Sequence, residues 1–278
     1  MPWCCPGCGS AVRFPSRCRP INRRLLAALA ASAIAVTARA QTVHFAPGEK
    51  FVYDVKFSDL QVGQATLALV GTDTIRGQAV VHALFAVKGG TFVYHVNDTT
   101  ESWFDPRTMT SYRFWQDVNE GGRHVHRRFE IFPDTKTMQQ EGKPGPEPSV
   151  ADPLDDASFL YFVRTQPLVV GQSYDFNRYF KPNINPVTVH VLRRERVTVP
   201  AGTFDAIVVQ PIFKTSGIFS QGGHAEVWVS DDSQRVVVQI KSQLPIGTLN
   251  LFLKSKDSNG AVGSGMAGGS PAPGTGRR

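Results

Sequence analysis

The chain has 278 residues and a formal net charge of +7, from 30 Lys and Arg against 23 Asp and Glu. Six of the basic residues and none of the acidic ones precede Gln41, which leaves 24 basic against 23 acidic residues, or about +1, for the rest of the chain. Such a balance, without a run of Lys or Arg interleaved with aromatics, gives no electrostatic case for a nucleic-acid partner.

The first 40 residues carry the pattern of an export signal. Arg23 and Arg24 precede the apolar run LLAALAASAIAV, and the segment ends in Ala38-Arg39-Ala40. A basic flank, a short apolar core and an Ala-x-Ala site are typical of a secretory signal peptide, so we expect cleavage after Ala40 and a periplasmic mature chain. A membrane span needs about 20 apolar residues, so we expect no transmembrane anchor after cleavage. The stretch before Arg19 is an N-terminal extension that such a signal does not need.

All four cysteines lie in this segment. Cys5 and Cys8 form one Cys-x-x-Cys pair after Cys4, and Cys18 is the remaining cysteine. A structural zinc site needs four close ligands, and the nearest histidine, His44, lies beyond the apolar run. The processing signal favours cysteines that are removed on export, and a zinc site that forms before export is the alternative. A mature chain without cysteine has no disulfide and no thiol nucleophile.

Alternating apolar and polar residues indicate β-strands through most of the chain after the export signal. In FVYDVKFS, Phe51, Tyr53 and Val55 fall on one face, while Asp54 and Lys56 fall on the other. This period of two is typical of a half-buried strand. The same pattern recurs in the sets Ala65, Leu67 and Leu69; Phe92, Tyr94 and Val96; Arg127, Phe129 and Ile131; Val187, Val189 and Val191; and Leu249, Leu251 and Leu253.

Compact turn signals such as NEGGR, FPDTK and VPAGTF separate these runs. Short connections join antiparallel neighbours, because parallel strands need a longer crossover. We therefore predict a mainly β fold, an antiparallel meander of roughly ten to twelve strands. A sheet of that size is expected to curl into a barrel or half-barrel.

One segment has a helical period instead. In DPLDDASFLYFVRTQ, the apolar residues Phe159, Leu160, Phe162 and Val163 follow the candidate N-cap Asp155. The pattern predicts one short helix at residues 157–165. We expect this helix to lie across the open end or the concave face of the sheet and to bury its aromatic side.

The domain limits follow from composition. Residues 259–278 are rich in Gly, Ser, Ala and Pro and contain almost nothing that could pack. We therefore predict a disordered tail at residues 258–278 and a single β-rich domain at residues 41–257.

Several segments together resemble an exported bacterial family known as domain of unknown function 3108 (DUF3108). They include GEKFVYDVKFSDLQVGQATL, the turn VPAGTF, and the corner VWVSDD that leads to LPIG. The resemblance extends from about Phe45 to Leu253. It implies an exported β-rich domain of Gram-negative bacteria, and it brings no activity and no catalytic residues.

No catalytic motif points to an enzyme. Neither Gly-x-Ser-x-Gly nor His-Glu-x-x-His occurs. His124 and His126 would share one strand face, as would His224 and Glu226, and such pairs are candidate zinc ligands. The alternative is a solvated polar face, in which neighbouring arginines oppose a bound cation. We expect no catalytic residues, no metal and no cofactor, and a hydrolase with an unrecognised site stays an alternative.

A curved sheet with a lid-like helix encloses either a packed core or a cavity for a small ligand. We predict non-catalytic binding of a hydrophobic or amphiphilic envelope molecule, such as a lipid or lipoprotein, in the manner of a carrier or chaperone. The candidate pocket-lining residues are Trp103, Trp115, Phe159, Phe162 and Trp228. The alternative for each of them is an ordinary core position. A second functional alternative is an envelope adaptor or assembly protein that contacts protein partners through sheet edges.

Overall fold

The computed structural model describes Val43, Phe45 and residues 47–92, 95–214, 224–244 and 247–258. The predicted export signal and N-terminal extension lie outside these described residues. The predicted tail also lies outside them, apart from Ser258, which ends the last strand.

The described residues form 14 strands, one α-helix and one 3₁₀ turn. The strands are β1 (Glu49–Phe57), β2 (Leu60–Ile75), β3 (Gln78–Gly90), β4 (His95–Phe104), β5 (Ser111–Glu120), β6 (Arg123–Phe132), β7 (Thr137–Gln140), β8 (Glu147–Pro148), β9 (Ser173–Phe176), β10 (Val187–Val199), β11 (Gly202–Ile212), β12 (Glu226–Ser230), β13 (Val237–Leu244) and β14 (Gly247–Ser258). The helix is α1 (Asp156–Thr165), and the 3₁₀ turn is Pro182–Ile184.

All the strands belong to one antiparallel sheet, in the order β8-β7-β6-β5-β4-β3-β2-β1-β14-β13-β12-β11-β10-β9. Each half is a simple meander, and the pairing of β1 with β14 joins the two halves. The sheet does not close, because β8 and β9 remain its two edges. The predicted antiparallel meander with a half-barrel architecture is confirmed, with more strands than predicted. The additional strands include β7, β8 and β9, which are too short to show a period.

The apolar face of the alternating pattern forms the core. Phe51, Tyr53 and Val55 of β1 are buried, and so are the predicted apolar sets on β2 and β10. We call this face of the sheet the inner face and the opposite face the outer face. The Tyr53 hydroxyl donates to the carbonyl oxygen of Val237 at 2.9 Å, which satisfies a polar atom inside this core.

The predicted strand that contains Phe92 is corrected by the structure. Strand β3 ends at Gly90, and β4 begins only at His95. Phe92 lies between them with 98% of its surface exposed. Gly89 and Gly90, with positive φ of 158° and 124°, are the last two residues of β3 and still pair with Val96 and His95 of β4.

The helix begins one residue earlier than predicted because Asp155 caps it. The Asp155 carboxylate accepts hydrogen bonds from the N–H groups of Ala157 and Ser158, and the Ser158 hydroxyl accepts one from the N–H of Asp155. This reciprocal capping box fixes the start of the helix. The helix packs on the inner face, where Asp155 also accepts from Ser102 of β4 at 2.6 Å.

Candidate functional site

The outer face of β1, β2 and β3 carries a groove of about 540 Å³, which we call the outer groove. Its lining residues come from the start of β1 and, apart from Leu69, from outward positions of the two following strands. They are Gly48, Glu49, Lys50, Gln64, Thr66, Ala68, Leu69, Val70, Leu84, Ala86 and Lys88.

Strand register explains why a depression forms here. Thr66 pairs with Ala86, and Ala68 lies between Lys50 of β1 and Leu84 of β3. Small side chains on neighbouring rows leave space that the larger side chains around them do not fill. Ala68 forms part of the floor, since only 8% of its surface is exposed although it points away from the core.

Two lysines flank the outer groove, and Asp257 of β14 lies opposite one of them, Lys50. Lys50 and Lys88 are both exposed, and neither forms an ion pair within the described part of the chain. The carboxylate of Glu49 is engaged by the buried guanidinium of Arg164, at 2.7 and 3.0 Å. Asp54, nearby on β1, is paired with Lys254 at 3.0 Å. The groove therefore has an apolar floor and two free ammonium groups at its flanks.

A second groove of about 440 Å³ lies over β5, β6 and β7. Two of its three charged lining residues, Arg128 and Glu130, already form ion pairs. Arg128 donates two hydrogen bonds to Asp117, both at 2.8 Å, and lies 4.9 Å from the Trp115 ring centre. The hydrogen bond from Arg128 lowers the pKa of Asp117, and that from His126 lowers it further. With these groups neutralised by one another, the second groove offers fewer free binding groups than the outer groove.

The five predicted pocket-lining residues lie in different places, and none lines the outer groove. Trp103 stacks on His82 with ring centres 4.2 Å apart, and its edge meets Trp115 at 4.8 Å on the outer face. Trp115 lines the second groove. That these residues bind a ligand stays a prediction.

The other predicted aromatic residues are buried in the main core. Phe159 meets Phe213 edge-on at 4.8 Å, and Phe162 meets Phe176 in the same way at 4.8 Å. Trp228 lies in β12, where its indole N–H donates to Glu195. The structure brings Phe159 and Phe162 to within 6.2 Å of one another.

The histidines of the two predicted metal-ligand pairs are exposed, whereas Glu226 is half-buried. His126 shares a hydrogen bond of 2.6 Å with Asp117, and Glu226 is held by Arg193 at 2.7 and 3.1 Å. Among the described residues, no three His, Cys, Asp or Glu side chains lie close enough together to hold a metal ion.

Sequence reasoning missed the residues of the outer groove, although a signal was present. In TLALV, the outward Ala68 and Val70 alternate with the inward Leu67 and Leu69, so both faces of β2 are apolar there. Leu84 and Ala86 repeat this on β3. Apolar residues at positions that face solvent mark a binding surface when they are contiguous.

The sequence model of the DUF3108 family, described as a protein of unknown function, matches residues 52–254. The chain belongs to the DUF3108 family. The matched segment includes the floor of the outer groove on β2 and β3, whereas Gly48, Glu49 and Lys50 precede it. None of the curated proteins is detectably similar in sequence to this DUF3108 protein.

Solved structures are similar to this DUF3108 protein in fold. A β-barrel-like protein of the family DUF1849 from Brucella abortus aligns with a TM-score of 0.52 and 9% identity, over 78% of this chain and 99% of the other. A candidate lipoprotein from Parabacteroides distasonis aligns with a TM-score of 0.35 and 14% identity, over 79% and 98%. A candidate exported protein with a YmcC-like fold from Bacteroides fragilis aligns with a TM-score of 0.33 and 11% identity, over 79% of this chain and 100% of the other.

The DUF1849 comparison supports a β-barrel-like fold for the DUF3108 domain, and at 9% identity it supports the fold alone. Within the described residues, no helix has both the length and the apolar character needed to cross a membrane.

Proposed function

We propose that this DUF3108 protein is exported to the periplasm and binds an anionic amphiphile of the cell envelope, without chemical change, in the outer groove. The observation that carries the proposal is an apolar floor flanked by Lys50 and Lys88, two exposed lysines without an ion pair in the described part of the chain. Export is supported by the basic, apolar and Ala-x-Ala pattern that ends at Ala40.

The dimensions of the outer groove suit an acyl chain. Its volume of about 540 Å³ falls within the range of small-molecule sites. From Gln64 to Val70 the groove follows β2 for seven residues, a rise of about 20 Å. Each methylene group that leaves water along this floor contributes about 0.8 kcal/mol, so a fatty chain supplies most of the affinity.

The charges favour an anionic headgroup over a neutral or cationic one. Lys88 supplies an ammonium group at one end of the groove, in the same row as Gln64, whose side-chain amide donates to Asp54 at 3.5 Å. A carboxylate or phosphate accepts charge-assisted hydrogen bonds from such an ammonium group. A cationic headgroup would face an ammonium group at Lys88, and the carboxylate of Glu49 is engaged by Arg164.

A titration of purified residues 41–278 with palmitate tests this proposal. We expect saturable binding at one site, weakened by Ala86→Phe, because the larger side chain fills the floor. Ala79→Phe is the matched control, since Ala79 is an exposed residue of the same strand outside the groove. Equal binding by all three proteins, or no saturable binding by the unmodified protein, would contradict the proposal.

A further inference from the structure

We propose that this protein docks on an anionic lipid surface through two neighbouring hairpin ends, those of β1–β2 and β3–β4, with Leu60 and Phe92 as the inserted residues. The proposal concerns a surface at one end of the sheet. It does not depend on ligand binding in the outer groove.

The two hairpin ends lie side by side. Strand β2 begins where β3 ends, and Gly63 pairs with Gly89 in the last part of their shared ladder. Leu60 lies three residues before Gly63 and Phe92 three residues after Gly89, so both lie just beyond this end of the ladder. Leu60 and Phe92 therefore project from adjacent tips of one sheet rather than from separate parts of the surface.

These two side chains are the most exposed large apolar residues in the described part of the chain. Phe92 is 98% exposed, and Leu60 is 63% exposed. Single exposed apolar residues are common on protein surfaces, but two large ones at neighbouring tips form a patch. The half-buried Phe57 extends the patch, because it pairs with Leu60 on one side and with Leu249 of β14 on the other.

Basic side chains flank the apolar tips. Lys56 precedes Phe57, and its ammonium group lies 5.6 Å from the ring centre of Phe252. Lys88 precedes Gly89, and neither lysine forms an ion pair within the described residues. Asp59 lies in the β1–β2 turn and opposes them in charge. Lysines beside an apolar tip can extend their ammonium groups to phosphate headgroups while their alkyl stems and the tip enter the interface.

A lipid surface fits this patch better than a folded protein does. A specific protein interface buries about 800 Å² on each partner and needs matched polar groups around an apolar centre. Two projecting hairpin tips offer a much narrower contact, and Leu60 and Phe92 bring no hydrogen-bonding side chains. Insertion into a lipid interface requires no shape complementarity, only apolar tips and compatible charge.

Sedimentation of residues 41–278 with lipid vesicles tests the proposal. We expect binding to vesicles that contain phosphatidylglycerol, and weaker binding to pure phosphatidylcholine. The double variant Leu60→Ser/Phe92→Ser should lose at least about tenfold in affinity, because two apolar side chains no longer leave water. The matched control is Val169→Ser/Val170→Ser, which removes two exposed apolar side chains elsewhere and should bind like the unmodified protein.

A second measurement does not depend on loss of binding. The variant Phe92→Trp should show a blue shift of its added tryptophan fluorescence when phosphatidylglycerol vesicles are present. An unshifted emission, equal sedimentation of the tip variant and the control, or failure of the unmodified protein to bind anionic vesicles would overturn the proposal. The groove variant Ala86→Phe should still bind vesicles, which separates docking from ligand binding.

Discussion

The guanidinium of Arg164 in α1 donates two hydrogen bonds to the carboxylate of Glu49 at the start of β1, at 2.7 and 3.0 Å. The Arg164 side chain is 1% exposed, and it also donates to the carbonyl oxygens of Gln234 and Arg235 between β12 and β13. One side chain thus ties the helix to both halves of the sheet. The same contact neutralises the carboxylate that lines the outer groove.

Removal of the Arg164 guanidinium should destabilise the protein. Arg164→Met leaves Glu49 without its partner and two buried carbonyl groups without donors, so we expect the free energy of unfolding to fall by about 3–5 kcal/mol. Urea denaturation monitored by circular dichroism measures the change. Arg107→Met, at a side chain that is 83% exposed, is the control and should change stability by less than about 0.5 kcal/mol. Similar stabilities for the two variants would show that the buried pair contributes little.

Asp155 should make stability depend on pH. Burial raises the pKa of Asp155 to about 6, although hydrogen bonds from Ser102 and Ser158 act in the opposite direction. The folded protein therefore holds this proton to a higher pH than the unfolded chain does. Below about pH 4 the raised pKa contributes about 2–3 kcal/mol to the free energy of unfolding. This contribution is lost as the pH rises through about 6.

The variant Asp155→Asn isolates this effect, because asparagine can still cap the helix and does not titrate. We expect the difference in unfolding free energy between wild type and Asp155→Asn to shift between pH 4 and pH 7 in favour of the variant. Urea denaturation at both pH values gives that difference. A difference that stays constant over this interval would contradict the raised pKa.

Gly63 and Gly89 should tolerate no side chain. A Cβ on Gly63 would lie 2.3 Å from the carbonyl oxygen of Lys88, and one on Gly89 would lie 2.2 Å from that of Val62. We expect Gly63→Ala to destabilise the protein by about 1–3 kcal/mol, because rigid backbone must move. Gly71→Ala on the same strand is the control, since nothing lies within 4 Å of its added Cβ. Equal melting temperatures of the two variants would refute the close contact.

Lys88 should contribute to headgroup binding. We expect Lys88→Ala to weaken palmitate binding about tenfold, and the loss should shrink at high salt because exposed charges are screened. Lys143→Ala is the control, since Lys143 is an exposed lysine between β7 and β8, at one edge of the sheet, and is paired loosely with Glu147 at 3.4 Å. A titration at low and high salt measures both effects. Unchanged affinity of Lys88→Ala at low salt would remove this lysine from the site.

Much of the fold could be predicted from local pattern. Apolar and polar residues must alternate along a strand with one buried face, and this pattern predicted the burial of Phe51, Tyr53 and Val55. The capping signal at Asp155 predicted the helix. The pairing of β1 with β14 could not be predicted in this way, because it joins distant segments. Strand β8 has only two residues, so it carries no period at all.

The site was harder to predict than the fold. The sequence predicted that large aromatic residues line a pocket. Of these, Phe159 and Phe162 pack in the core, because the helix that carries them lies on the inner face. The outer groove instead arises from small residues, and it exists only because register places Thr66 beside Ala86. Such a depression depends on pairing between strands, which single-strand periodicity does not specify.

Native mass spectrometry of the mature chain, residues 41–278, tests the central claim most directly. The protein would be purified gently from its own envelope as wild type, Ala86→Phe and Ala79→Phe, and released molecules would be identified after denaturation. We expect one anionic amphiphile per chain in wild type and Ala79→Phe, and little in Ala86→Phe. A clean mass without lipid in all three proteins, or equal lipid in all three, would contradict binding in the outer groove.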